Sequence, residues 1–128
     1  HGGPLRCYDV AATDVGWDAC RDLCDADGAT MLCIRTYLEN KLLYDTFYGA
    51  IGPYWAGYSD ANPANGTFAW ESPACESTYS AWRAGQPDRY AAEGKAGFTL
   101  VGNDFGLAWS DVWFGRPSAC ICEAEPIA

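Results

Sequence analysis

The chain of 128 residues has a single histidine, two lysines and one methionine. It contains no apolar run of the about 18 to 20 residues that a membrane-spanning helix needs. His1, at the chain end, cannot supply the fixed imidazole of a Ser-His-Asp or Cys-His catalyst, so we expect no enzyme. Because 8 basic residues face 17 acidic ones, the net charge of -9 excludes nucleic acid and bare anionic membranes as favoured partners.

Cysteine, by contrast, is abundant, with seven residues in a short chain. This number predicts disulfides and an oxidising compartment, and hence a secreted, extracellular protein. Zinc binding by Cys20 and Cys24, or by Cys120 and Cys122, is an alternative, although neither pair has the CxxC spacing of a zinc knuckle. Asn65 begins an Asn-Gly-Thr sequon, which predicts a glycoprotein.

The length favours one domain over residues 1–128. An apolar face at three- and four-residue steps predicts a first helix over about residues 14–26. The residues of this face are Trp17, Cys20, Leu23 and Cys24. We expect Thr13 or Asp14 as its N-cap and Gly28 at its end.

A second helix is predicted over about residues 37–49. Its expected inward stripe is formed by Leu38, Leu42, Leu43 and Phe47. Five short segments rich in aromatic and β-branched residues then predict strands, and they read YWAGYSDA, GTFAWES, GFTLVG, LAWSDVW and ACICEAE. Residues 72–97 show neither the periodicity of a helix nor that of a strand. A loop of that length in a small domain is usually functional.

The spacing of four cysteines predicts how the first helix is attached. Cys20 and Cys24 lie one turn apart on a helix, while Cys120 and Cys122 share one face of a strand. We therefore predict a disulfide between Cys24 and Cys122. A second disulfide is expected between Cys20 and Cys120.

Three cysteines remain after this pairing, so at least one thiol is free or bonded to another molecule. A bond between Cys7 and Cys33 is one possibility. Cys75, in the long loop, is then the candidate for the unpaired thiol, through which a homo-oligomer could form.

The order of several segments resembles the C-type lectin-like domain from Tyr8 to Glu123, which would be the core of the domain. The segments are WDACRDLCDADGATMLCI, LENKLL, YWAGYSDANPANGTFAWES, YSAWRAGQPD, WSD and CICE. The resemblance implies an α+β fold with two helices, two small antiparallel sheets and a long loop that binds calcium and sugar.

Carried over residue by residue, the resemblance implies a set of calcium ligands that also contact the sugar. They are Gln86, Asp88, Glu93, Ser110 and Asp111, with Pro87 between the first two. Calcium prefers such oxygen ligands and takes six to eight of them. Two departures from the family pattern stand out. Ser110 replaces the usual asparagine, and Gly97 and Phe114 occupy the positions of a common family disulfide.

In this family the order Gln-Pro-Asp goes with galactose-type sugars, and Tyr90 is placed to stack on the apolar face of galactose. The resemblance therefore implies a secreted calcium-dependent lectin for glycans with terminal galactose or GalNAc. The alternative is a protein- or surface-binding domain of the same fold, in which calcium is structural or absent.

Replacing Tyr90 with alanine should weaken galactose binding and leave calcium affinity nearly unchanged. A stacked ring contributes about 1 kcal/mol, by analogy with aromatic pairs, so the dissociation constant should rise about fivefold. Isothermal titration with each ligand measures both effects. An unchanged sugar affinity would remove Tyr90 from the site.

Overall fold

The computed structural model describes residues 6–59, 68–72, 74–84, 97–103 and 106–124. Its elements are β1 (Cys7–Val15), α1 (Trp17–Ala26), β2 (Thr30–Met31), α2 (Tyr37–Leu43), a π-helical turn (Tyr44–Tyr48), α3 (Gly49–Ile51), β3 (Tyr54–Ser59), β4 (Ala69–Trp70), β5 (Phe98–Asn103), β6 (Gly106–Val112) and β7 (Ser118–Ala124). The predicted α+β class is confirmed. Within these ranges, no helix combines the length and the apolar character needed to cross a membrane.

The strands follow the order β1-β7-β3-β5-β6, with β2 added to β7 and β4 added to β3. All pairings are antiparallel except that of β3 with β7, where Tyr54 lies opposite Ala119. This parallel contact joins the two expected antiparallel sheets into one mixed sheet. The strands β1 and β2 are not among the five segments that the sequence pattern predicts.

Helix α1 begins later than predicted, with Gly16 as its N-cap and no capping side chain. Strand β1 continues to Val15, so neither Thr13 nor Asp14 can cap the helix. The amide of Trp17 instead donates to the carbonyl of Phe114 at 2.7 Å, which satisfies one of the free amides of the first turn. The predicted end before Gly28 is confirmed.

Helix α2 begins as predicted at residue 37, but its inward face differs from the prediction. Leu38 and Leu42 are 74% and 58% exposed, whereas Leu43 is buried. The fully buried residue one turn before Leu43 is Asn40. At 100° per residue, Asn40, Leu43 and Phe47 share one face and the other two leucines lie opposite. The predicted stripe was therefore right for Leu43 and Phe47 and wrong for Leu38 and Leu42.

Both predicted helix-to-strand disulfides are confirmed. Cys20 is bonded to Cys120 and Cys24 to Cys122, and all four residues lie in the core. The sulfur atoms of Cys20, Cys24 and Cys120 lie within 4.8 Å of one another, but all three are oxidised, so they offer no thiolate for zinc.

The third disulfide corrects the remaining cysteine predictions. Cys33 is bonded to Cys75, so the pairing of Cys33 with Cys7 was wrong, as was an unpaired Cys75 that links two chains. Cys7 is the free cysteine and lies exposed opposite Ala124 at the start of β1. Cys33 is buried. The segment that carries Cys75 lies next to it, since the hydroxyl of Ser77 donates a hydrogen bond to the carbonyl of Ile34 at 2.8 Å.

A buried carboxylate on β7 connects this last strand and the residue before β1 to the segment after β2. Glu123, 4% exposed, accepts hydrogen bonds from the Cys33 amide at 2.9 Å and the Arg35 guanidinium at 2.7 Å. Arg6 approaches the same carboxylate at 3.4 Å. Arg35 also pairs with Glu39, which accepts from the Tyr8 hydroxyl. Burial and the hydrogen bond to the Glu39 carboxylate raise the pKa of the Tyr8 hydroxyl far above its ordinary value.

Replacing Glu123 with glutamine should lower the free energy of unfolding by about 2 to 3 kcal/mol, because two guanidinium groups lose their buried counter-charge. The midpoint of urea unfolding measures the change. Glu76→Gln is the matched control, since Glu76 is exposed and should shift stability by less than about 0.5 kcal/mol. Equal effects of the two substitutions would contradict a stabilising role for the network.

Candidate functional site

The long loop is taken from here on as residues 85–96, and the segment that leads into it is hydrogen-bonded to β6. The amide of Trp109 donates to the carbonyl of Ala81 at 2.8 Å, and the amide of Arg83 donates to the carbonyl of Trp109 at 2.8 Å. Trp82 thereby forms a parallel bridge with Trp109. The chain therefore enters residues 85–96 from a position beside β6.

The chain leaves the same loop against the next residues of β6. A Cβ atom added to Gly97 would lie 2.7 Å from Oδ2 of Asp111 and 3.2 Å from its Cβ. Phe98 then pairs with Val112, and Thr99 pairs with Asp111. The segments on the two sides of the loop are thus held at residues 109–112 of one strand.

The structure places one predicted calcium ligand, Asp111, next to the segment that follows the loop. Asp111 is 3% exposed, and the cross-strand neighbour Thr99 is fully buried on the same face of the sheet. The Thr99 hydroxyl has no hydrogen-bond partner within the described part of the chain. A carboxylate and a hydroxyl on one face are oxygen donors of the kind that a calcium ion takes as ligands.

Ser110 lies on the opposite face. It pairs with Leu100, and neighbouring residues of a strand direct their side chains to opposite sides. Ser110 is among the residues that line a separate cavity, together with Arg83 and Tyr48. The structure therefore does not bring the side chains of Ser110 and Asp111 together.

The other predicted site residues lie outside the described ranges. They are Gln86, Asp88, Tyr90 and Glu93 in the loop and the sequon residue Asn65. Their roles remain predictions.

An aromatic layer lies on the Asp111 face of the sheet, beside the segment that leads into the loop. Tyr58 stacks on Trp70 with ring centroids 4.4 Å apart, and Trp82 meets Trp109 edge-on at 5.9 Å. Trp109 is fully buried and belongs to the core. Phe68 packs against Trp82 at 5.1 Å. The layer supports the segment before the loop through Trp82.

The segment before the loop is also braced from the side. The disulfide from Cys75 to Cys33 and the hydrogen bond from Ser77 to Ile34 attach it to the strand region after β2. The indole of Trp70 donates to the Ser77 carbonyl at 3.3 Å. This bracing takes a different route from the common family disulfide whose two positions hold glycine and phenylalanine here.

Sequence reasoning missed Asn40, which links α2 to the site strand. Its Oδ1 accepts from the Trp109 indole at 3.0 Å, and its Nδ2 donates to the Leu107 carbonyl at 3.2 Å. The signal was present, because Asn40 lies three residues before Leu43 and seven before Phe47 on one helix face. A polar residue in that stripe indicates a buried hydrogen bond.

The comparisons with known proteins agree with this architecture. No protein-family model matches the chain. The chain is 26% identical to asialoglycoprotein receptor 1 of Rattus norvegicus over 93% of its own length and 41% of the receptor, and 27% identical to the CD209 antigen of Pongo pygmaeus over 94% and 30%. It thus spans less than half of either curated relative.

Solved structures match along nearly the whole fold. The C-type lectin CEL-I from Cucumaria echinata superposes with a TM-score of 0.82 at 18% identity, covering 96% of this chain and 92% of the lectin. The chain has the C-type lectin-like fold.

Antifreeze proteins share this C-type lectin-like fold as well. Herring type II antifreeze protein gives a TM-score of 0.81 at 19% identity, with 98% and 95% of the two chains covered. A calcium-independent type II antifreeze protein superposes with a TM-score of 0.79 at 22% identity, covering 99% of this chain and 92% of the antifreeze protein.

Replacing Gly97 with alanine should destabilise the domain by about 1 to 3 kcal/mol, because the added methyl group overlaps the buried Asp111 side chain. Thermal or urea unfolding measures this change. Gly49→Ala is the control, since nothing lies within 4 Å of a Cβ at that helical position. If both variants are as stable as the unmodified domain, the close packing of Gly97 on Asp111 is absent in solution.

Proposed function

We propose that the domain binds terminal galactose or GalNAc of glycans through a calcium ion. The observation that carries this proposal is that the segments before and after residues 85–96 both lie against residues 109–112 of β6, beside the Asp111 carboxylate. A loop of 12 residues whose flanking segments are both attached beside Asp111 is short enough for its side chains to reach that carboxylate.

The proposed ligands of the ion are Gln86, Asp88 and Glu93 from the loop and Asp111 from β6. All are oxygen donors, as a hard cation requires. Ser110 belongs to the set by its position in the family pattern, but its side chain lies on the other face of the strand. When bound, the ion would coordinate two neighbouring hydroxyl groups of the sugar.

The order of Gln86 and Asp88 supports a galactose-type ligand, and Tyr90 would pack on the apolar face of the sugar. One relative of the chain is named as an asialoglycoprotein receptor, which supports glycans as partners. A single shallow site of this kind binds with a dissociation constant on the order of 1 mM, about 4 kcal/mol. Multivalency, in an oligomer or a longer parent chain, would raise this affinity.

We further propose that this single domain, with its core over about residues 8–123, acts outside the cell. Three disulfides are typical of proteins that fold in an oxidising compartment. The sequon at Asn65 would then carry a glycan. With Cys75 bonded internally, an interchain disulfide would have to use Cys7, the free cysteine of the described chain.

The second candidate is a protein- or surface-binding domain that needs no calcium. Two observations favour it. Ser110 and Asp111 point to opposite faces of β6, which leaves fewer ligands for one ion. In addition, one protein of the same fold is a calcium-independent antifreeze protein.

Retention on galactose resin in calcium, with elution by EDTA, tests the first candidate. Calcium at about one hundred times its dissociation constant should stabilise the domain by about 2.7 kcal/mol and raise its Tm by about 5 to 10 °C. Asp111→Asn should remove most of both effects, because the ion loses a carboxylate ligand.

Asp22→Asn is the matched control, since it removes the same charge from an exposed side chain of α1. It should bind resin and calcium as the unmodified domain does. If the unmodified domain passes through the resin and its Tm is the same with calcium and with EDTA, the second candidate is correct.

A further inference from the structure

The three disulfides differ in their access to solvent. The two that attach α1 to β7 connect residues that are at most 4% exposed. In the third disulfide Cys33 is buried, but Cys75 is partly exposed. A thiolate must reach a sulfur atom before it can cleave a disulfide, so access decides which bond reacts first. Among the three bonds, the one at Cys75 is therefore the most open to a thiol in solution.

The two cysteines of this bond are held differently by the rest of the fold. The amide of Cys33 donates to the buried Glu123 carboxylate at 2.9 Å, and the preceding Leu32 accepts from the amide of Gly57 at 2.9 Å. The amide of Cys75 makes only a local bond, to the carbonyl of Ser72 at 3.0 Å. Cleavage would leave Cys33 in place and free Cys75 to move.

Cys75 belongs to the entry segment, residues 74–84, which leads into the long loop. After the disulfide, the next attachment of this segment to the region after β2 is the Ser77 hydroxyl, which donates to the Ile34 carbonyl at 2.8 Å. The amide of Tyr79 donates to the same hydroxyl at 3.1 Å. Segments with few attachments open locally at low free energy, so the hold on this segment depends strongly on the disulfide.

We propose that the Cys33–Cys75 disulfide is a redox-sensitive clamp, which a dithiol opens and which controls the order of the entry segment. One thiolate of the dithiol attacks the Cys75 sulfur, and Cys33 leaves as a thiolate. The second thiolate of the same dithiol then displaces Cys75 from the mixed disulfide. Two electrons pass to the protein, both cysteines take up a proton, and the dithiol leaves as a cyclic disulfide.

The fold should survive this reaction. The two buried disulfides still attach α1 to β7, and the bonds of Cys33 and Leu32 do not involve sulfur. The clamp also needs neither calcium nor sugar. It can therefore be tested whether or not the domain binds galactose, and the two proposals can fail separately.

The first test is selective reduction of the unmodified domain. Iodoacetamide first blocks Cys7, the exposed free cysteine of the described chain. Dithiothreitol is then added under native conditions, N-ethylmaleimide labels each new thiol, and peptide mass mapping locates it. Cys33 and Cys75 should be labelled at least about tenfold faster than the four cysteines of the other disulfides, because only their bond is reached without opening the core. Equal rates for all six cysteines would overturn the proposal.

The second test is amide hydrogen exchange, followed by NMR, before and after this reduction. The amides of Tyr79 and Arg83 should exchange at least about tenfold faster in the reduced domain. The amide of Ala119, which donates to the Pro53 carbonyl at 3.1 Å in the core, is the internal control and should change by less than about twofold. Unchanged exchange at Tyr79 and Arg83, or an equal increase at Ala119, would overturn the proposal.

A double variant, Cys33→Ala with Cys75→Ser, should show the exchange pattern of the reduced domain without any reductant. Cys7→Ser is the matched control, since it removes a cysteine that forms no disulfide within the described chain. It should keep the slow exchange of Tyr79 and the selective labelling of Cys33 and Cys75. Loss of that selectivity in Cys7→Ser would assign the exchange reaction to Cys7 and overturn direct opening by the dithiol.

Discussion

The burial of Trp109 is the constraint on which the site depends. Its indole is held by Asn40 from α2, and its main chain is bonded in both directions to the segment that enters the long loop. A fully buried tryptophan leaves the strand no freedom to rotate or slip, since a one-residue slip would expose it. Asp111 and Ser110 are therefore fixed to the two faces they occupy.

Much of the scaffold could be predicted because its residues repeat with a period. The helical step of Trp17, Cys20 and Cys24 identified the face of α1, and the alternation of Cys120 and Cys122 identified its partner strand. The remaining cysteines show no periodic spacing, since Cys33 lies in an irregular segment and Cys75 in the segment before the long loop. Their pairing depends on tertiary contacts that a single sequence does not encode locally.

The error in α2 has a different physical cause. Leucines suggest a core face, but here Leu38 and Leu42 are exposed and Asn40 is buried. A buried amide is stable because both of its groups are hydrogen-bonded, one to an indole and one to a carbonyl. Apolar periodicity alone could not identify it. The partners lie more than sixty residues further along the chain.

For the candidate site, the sequence held more information than the family pattern used. Because LAWSDVW was already predicted as a strand, alternation alone placed Ser110 and Asp111 on opposite faces. The family pattern instead assigned both to one ion.

The disulfides also determine what a protease could reveal about this domain. Cys20 and Cys24 precede the long loop, while Cys120 and Cys122 follow it. A single cut between residues 85 and 96 would therefore yield two polypeptides that stay covalently joined. On a non-reducing gel the nicked and intact forms would migrate as species of the same mass, and only reduction would separate the fragments.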